Sequence, residues 1–233
     1  MPLLLNKFQE DNSVPALNKI QFLIKRLLDI FISAIGLLLL LPLLIIIAIA
    51  IKTTSKGPVF FLQDRVGKNA KIFKLFKFRT MIPGAIKIGD GLKVSSDDAR
   101  ITRTGSFLRK TSLDELPQLF NVLKGDISLV GPRPTVPQHL EYYGDFERRR
   151  LEVKPGITGL AMVRGRGSVP WSVRIKNDIE YIDNFNLWLD FKIIVQTFWV
   201  VLMRKNVYYN YEKNGPAFDL VKPVKKSSNS QNS

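Results

Sequence analysis

The apolar positions of this chain form one long block followed by several short, interrupted ones. From Ile30 to Ile51, 22 consecutive positions carry no formal charge. As a straight helix this run measures roughly 33 Å, enough to cross a bilayer core of about 30 Å. Two features argue against a simple crossing. Lys25 and Arg26 precede the run and Lys52 and Lys56 follow it, whereas a spanning helix usually carries its positive excess on one side. Pro42 lies in the middle, where it removes a backbone hydrogen bond and bends the helix. A helix that enters, breaks near Pro42 and returns keeps both basic ends on one face; a single-pass anchor is the alternative. A secretory signal fits poorly, since the run is too long and starts too late despite Ala48-Ile49-Ala50.

Shorter patterns follow. Val59 to Leu62 is a brief apolar run after a Gly57-Pro58 turn. Between Lys71 and Met81, Ile72, Phe73, Leu75, Phe76 and Phe78 interleave with Lys74, Lys77 and Arg79. That pattern suits either an amphipathic surface for lipid headgroups or a half-buried strand with a basic face. Residues 83–98 form a loop rich in glycine, serine and aspartate. Helices are expected at 104–110 and 114–124, the second with Leu116, Leu119, Phe120 and Leu123 as its apolar face and Gly125 as its stop. After the prolines at 132, 134 and 137, residues 138–152 read as a charged helix. KPGITG at 154–159 is a turn-forming loop. Residues 187–203 are strongly apolar but interrupted by Asp190, Lys192 and Gln196. An in-plane interfacial helix suits them better than a span, with a buried core helix as the alternative. The tail KKSSNSQNS has the composition of a disordered segment.

Charge narrows the range of partners. The chain holds 35 Lys and Arg against 20 Asp and Glu, a net charge of +15. An excess of that size calls for an anionic partner: nucleic acid, anionic lipid or a phosphorylated substrate. Cysteine is absent and His139 is the only histidine, which excludes disulfides, thiolate metal sites and histidine metal clusters.

The most informative stretch is RKTSLDELPQLFNVLKGDISLVGPRP, residues 109–134. Thr111 and Ser112 are good caps, and Ser112-x-x-Glu115 fits a capping box. Pro117 is tolerated only in a first turn, so the helix is expected to begin near Leu113 or Asp114. That puts the carboxylates of Asp114 and Glu115 at an electropositive helix start, close in sequence to Arg109, Lys110 and Arg133. On spacing alone, such a pair is most simply a cap and a dipole partner.

The stretch resembles the core signature of the bacterial sugar transferases, the monotopic phosphoglycosyl transferases. The similarity runs from Lys25 to about Arg204 and includes KRLLD at 25–29, GPVFFLQDRVG at 57–67, FKFRTM at 76–81, DDARITRTGSFLRKTSLDELPQLFNVLKGDISLVGPRP at 97–134 and KPGITG at 154–159. It implies an α+β, mostly helical fold. An N-terminal segment (1–21) leads into a re-entrant membrane helix (22–56), then a cytoplasmic catalytic domain with interfacial amphipathic helices (57–206) and a flexible tail (207–233). The family's usual break is a Ser-Pro pair, where this chain has Leu41-Pro42.

The resemblance further implies transfer of a phosphosugar from a nucleotide diphosphate sugar, most often a UDP-sugar, to polyprenyl phosphate. The reaction would take place at the cytoplasmic face of the inner membrane and initiate membrane-linked glycan synthesis. Asp114 would be the covalent nucleophile, with Mg²⁺ held by Asp114, Glu115 and phosphate oxygens. Glu115 would bind metal, orient Asp114 or only cap the helix. Lys77, Arg109 and Arg133 match basic family positions near the phosphates. In MVRGRGSVPW at 162–171, Arg166 matches and is a candidate for the nucleotide, but Met162 and Gly167 replace a Gln and an Asn. Two other functions fit the charge. A membrane-attached nucleic-acid binder lacks any reading motif and leaves the Asp-Glu pair without a job; nucleic acid is therefore not expected as a partner. A non-catalytic scaffold for glycan enzymes would show no turnover.

Overall fold

In the computed structural model, residues 16–85, 88, 98–165, 168–203 and 219–220 are described, with side chains from Lys19 onward. The fold is mostly helical, with two small two-stranded sheets. Helix α1 covers Ala16–Thr54, 39 residues with Pro42 inside it. It is the one helix among the described residues long and apolar enough to cross a membrane by length and composition. One stripe of it faces the protein. Leu37, Leu44, Ile47 and Ile51 are buried with Phe78 and Leu108, and Leu113, Leu116, Leu119 and Leu123 pack against this cluster. Leu38, Leu39, Ile45, Ile46 and Ile49 on the other side are exposed, which is the surface a lipid phase would cover.

Both ends of the apolar run are tied to the same domain. At the first, Arg26 donates to the Val122 and Leu123 carbonyls (2.6 and 2.9 Å). Lys25 pairs with Asp190 at 2.5 Å, and Asp29 accepts from the Leu129 amide at 3.0 Å. At the second, buried Arg79 donates to the carbonyl and hydroxyl of Ser55 (2.9 and 2.7 Å). Thr54 and Thr104 share a hydroxyl contact at 3.0 Å. The KRLLD motif is therefore the joint between the apolar helix and the domain.

Strands β1 (Phe60–Val66) and β2 (Ile72–Phe78) form an antiparallel hairpin. This resolves the 71–81 ambiguity in favour of a half-buried strand. Alternation puts Phe73, Leu75 and Lys77 on one face. The first two are buried against Val122 and Ile127, so Lys77 points inward too. Helix α2 (Arg103–Thr111) is capped by Thr102, whose hydroxyl accepts from Gly105. A Cβ at Gly105 would meet the Thr80 carbonyl oxygen at 2.0 Å, so only glycine lets α2 lie this close to the chain after β2.

The expected helix at 114–124 is divided. Leu113–Glu115 form a 3₁₀ turn, and helix α3 (Gln118–Lys124) starts after Pro117. Gly125 ends it at φ 90°, as expected. Ser112 adopts the left-handed conformation (φ 59°) as the last cap of α2 and makes no side-chain cap bond to the next turn, so the capping box does not form. The reason is tertiary: Leu113 and Leu116 must reach α1, while Glu115 turns to two cations (below). Phe120 is exposed, unlike the rest of the expected apolar face.

The rest of the domain completes the wall behind the dyad. Strand β3 (Ser128–Val130) pairs in parallel with β4 (Gly156–Thr158). The expected helix at 138–152 breaks into a 3₁₀ turn (Pro137–Tyr142), the short α4 (Asp145–Arg148) and a second 3₁₀ turn (Arg149–Leu151). Gly144 is extended at the break, which lets Tyr143 and Arg150 both turn into the core. Helices α5 (Leu160–Arg164), α6 (Trp171–Asp183) and α7 (Leu187–Leu202) follow. Helix α7 buries only Asp190 and Ile193 and exposes Trp188, Phe191, Phe198, Trp199 and Leu202, so it is not a buried core helix.

Candidate active site

The site is built on the 3₁₀ turn between α2 and α3. Leu113 and Leu116 anchor it against α1, which fixes the two residues between them at the edge of the domain core. Asp114 is 9% exposed, and among the described residues its carboxylate receives no hydrogen bond or ion pair. Burial raises its pKa above the ordinary aspartate value; the charge of Lys77 opposes that rise and the charge of Glu115 adds to it.

Glu115 is held differently. Its Oε1 accepts from Lys77 Nζ at 2.8 Å and from Arg133 at 2.6 Å. Oε2 has only a 3.5 Å contact with Arg133. Burial alone would raise its pKa, but Arg133 and then Lys77 outweigh it and hold the carboxyl well below the usual range. Glu115 is therefore ionised and clamped. Burial lowers the pKa of Lys77 despite Glu115, while Glu115 raises that of Arg133.

The other basic residues lie in a second tier. Arg109 Nε donates to the Thr80 hydroxyl at 2.8 Å, so Arg109 stands beside the dyad rather than on it. Arg166 and Gly167 fall outside the described residues. Met162 sits at the end of the cluster, its sulfur accepting from Arg133 at 3.2 Å. Thioether sulfur is a weak acceptor, so this guanidinium nitrogen is only loosely held.

Sequence reasoning missed Arg65. It donates to the Pro134 carbonyl (3.0 Å) and to the Gln63 side chain (2.7 Å). Burial and the charge of Arg133 lower its pKa to about 10. The available signal was strand alternation, which puts Gln63 and Arg65 on one face of a hairpin next to the FKFRTM strand. Arg65, Lys77, Arg109 and Arg133 thus surround two carboxylates. This excess of positive charge in a low-dielectric wall suits a polyanion such as a diphosphate. The described residues contain no group of three or more metal-ligating side chains. Asp114 and Glu115 are the carboxylates that could hold a Mg²⁺, which commonly takes one or two carboxylates together with phosphate oxygens.

Comparisons with known proteins give the family. The bacterial sugar transferase family model matches residues 20–204, and the chain belongs to that family. It is 43% identical over 223 residues to a UDP-glucose:undecaprenyl-phosphate glucose-1-phosphate transferase of Klebsiella pneumoniae, covering 88% of this chain and 47% of that protein. To an undecaprenyl-phosphate galactose phosphotransferase of Salmonella typhimurium it is 42% identical over 199 residues, 79% of this chain and 42% of the relative. An uncharacterized sugar transferase of Bacillus subtilis is 45% identical over 186 residues, with 79% of this chain and 90% of the relative covered. The chain thus spans less than half of the first two relatives and nearly all of the third.

Proposed function

We propose that this protein transfers a sugar phosphate from a UDP-sugar to a polyprenyl phosphate, with Asp114 as nucleophile, and so initiates a membrane-linked glycan. The observation that carries the reading is the contrast within the dyad. Glu115 takes up both Lys77 and Arg133, leaving buried Asp114 without a bonded partner among the described residues. A carboxylate so placed is a competent covalent nucleophile.

In the first step an Asp114 oxygen attacks the β-phosphorus of the donor. The bond from that phosphorus to the bridging oxygen breaks, and its electron pair leaves with UMP. In the second step an oxygen of polyprenyl phosphate attacks the same phosphorus, the Asp114 oxygen–phosphorus bond breaks, and the carboxylate is restored. The obstacle throughout is negative charge meeting negative charge, so positioning and cations supply most of the catalysis. Arg133 is the foremost candidate. Its fork is oriented by Glu115, it can grip a phosphate through two hydrogen bonds, and Met162 holds one of its nitrogens only weakly. Lys77 and Arg109 add positive charge around the leaving diphosphate. Mg²⁺ bound by Asp114, Glu115 and the diphosphate would neutralise charge developing on the leaving phosphate.

The apolar helix is read as re-entrant, with both of its basic ends and the catalytic domain on the cytoplasmic face of the inner membrane. What supports this is that Arg26 near one end and Ser55 near the other contact the same domain. Helix α7 would lie in the interface alongside. The test uses the absence of cysteine. Single cysteines at Asn18 and Lys56 should both resist an impermeant reagent in intact cells, whereas labelling of the Asn18 site alone would establish a single-pass anchor. For the reaction, UMP release is screened across UDP-sugars with polyprenyl phosphate present. One productive sugar is expected, and no release with any donor would defeat the assignment.

A further inference from the structure

The Pro132-Arg133-Pro134 segment poses a hydrogen-bonding problem. Both prolines lack an amide hydrogen, so the segment is rich in acceptors and poor in donors of its own. Four consecutive carbonyls are nevertheless all satisfied. Gly156 N–H donates to the Pro132 carbonyl at 2.9 Å and Val66 N–H to the Thr135 carbonyl at 2.9 Å. Between these two backbone bonds, the donors are arginine side chains. Arg150 donates to the Arg133 carbonyl at 2.9 Å, and Arg65 to the Pro134 carbonyl at 3.0 Å.

Each brace is itself held. Arg150 is 4% exposed. It pairs with Asp178 at 2.6 Å and donates to the Tyr143 hydroxyl. Arg65 is fixed through its second terminal nitrogen by the Gln63 side chain. Two like-charged guanidinium groups beside a third repel one another. Their placement on the carbonyls flanking a residue that must meet the dyad therefore points to geometry, not to charge storage.

We infer that Arg65 and Arg150 are positioning residues that lock the backbone of Arg133, so that one guanidinium nitrogen stays on Glu115 while the other, held only by long contacts to the Met162 sulfur and Glu115 Oε2, can turn to the donor diphosphate. The inference rests on the reading of Arg133 as a diphosphate-binding group. Arg65, half-buried and bonded to the neutral acceptors of Pro134 and Gln63, is the residue to test. Truncating Arg150 would strand buried Asp178 and threaten the fold.

The experiment is a double-mutant cycle on the full-length enzyme in its membrane or detergent, read as kcat/KM for UMP release. Arg65→Met is expected to lower kcat/KM about 5- to 10-fold, and Arg133→Lys about 10-fold. If Arg65 acts only through Arg133, the double variant falls no more than about 2-fold below Arg133→Lys, because the geometry Arg65 protects is already lost. Arg65→Lys, which keeps a donor able to reach the Pro134 carbonyl, should restore more than half of the activity. Losses that multiply in the double variant would show that Arg65 meets substrate or stabilises the fold independently, and would overturn the proposal. Full activity in both Arg133→Lys and Arg133→Ala would instead remove Arg133 from phosphate binding, and the proposal with it. If Arg65→Met yields no folded enzyme, the cycle is run with Arg65→Gln, which stays polar but is too short to donate to the Pro134 carbonyl as Arg65 does, and the same multiplicative outcome counts against the inference.

Discussion

Two clusters of buried charge in this molecule obey different rules. At the joint between α1 and the domain, charges are matched. Lys25 meets Asp190, whose other oxygen accepts from Tyr181 at 2.7 Å. Around the dyad they are not matched. Glu115 takes up two cations, Asp114 accepts from none among the described residues, and Arg65 and Arg109 add further positive charge. The first arrangement fixes the long apolar helix α1 on the domain. The second leaves a carboxylate and a positive field open to something else. Buried polar groups are normally satisfied, so the cluster left incomplete is the one to suspect of chemistry.

Substitutions that treat the two clusters alike should therefore have opposite signatures. The largest effect is expected for Asp114→Asn, with turnover reduced at least ~10³-fold as the nucleophile is lost. Stability should not fall. Because the folded state raises the pKa of Asp114, its ionised form is disfavoured relative to the unfolded chain, and removing the charge relieves a cost at neutral pH. A denaturation temperature at or above that of wild type checks this. A marked drop would mean that Asp114 belongs to a structural cluster like that of Asp190.

Lys25→Met should do the reverse, leaving chemistry per folded molecule near wild type while removing about 3 kcal/mol of stability, since Asp190 is then buried unpaired. The sign with pH follows from burial, which already raises the pKa of Asp190 against the pull of Lys25. Without Lys25 that pKa rises further. The loss is then fully present where Asp190 is ionised and partly recovered as acidification protonates it. Denaturation midpoints at two pH values test this. A destabilisation that grows on acidification contradicts it.

How much of this contrast could be read in advance depends on the range of the interaction. The apolar helix, the Gly125 stop and the basic candidates Lys77 and Arg133 were legible, because helical and strand periodicity and the family motifs are local in sequence. The Ser112 capping box was not. Local capping energy of about 1 kcal/mol gave way to the burial of Leu113 and Leu116 on α1 and to the pull of two cations on Glu115. Residues 138–152 carry a charged helical pattern, but Tyr143 and Arg150 are both needed in the core, and extended Gly144 breaks the helix between them. Arg65 escaped notice because its importance lies 69 residues away, at the Pro134 carbonyl. Met162 departs from the usual glutamine of the family. In this chain that position lies against Arg133, where Met162 offers a thioether sulfur, a weaker acceptor than an amide oxygen.

Smaller effects sharpen the dyad half of the contrast. Arg133→Lys keeps the charge and loses the planar fork. A fall in kcat/KM of about 10-fold, or 1.4 kcal/mol, is expected with membrane attachment unchanged. If attachment alone weakens, Arg133 is a lipid contact. The acid limb of the kcat/KM profile should also lie above the value near 3.9 of a free aspartate, because Asp114 must be ionised to attack and burial raises its pKa. A limb at or below that value would mean the reacting carboxylate is not buried.

The central claim is that Asp114 forms a covalent bond to the phosphosugar. Intact-mass analysis of the purified enzyme, incubated with the productive UDP-sugar in the absence of polyprenyl phosphate, tests it most directly. A wild-type species heavier by one phosphosugar is expected, absent from Asp114→Asn and discharged when polyprenyl phosphate is added. Unmodified wild-type enzyme that still turns over, or the same adduct on Asp114→Asn, would contradict it.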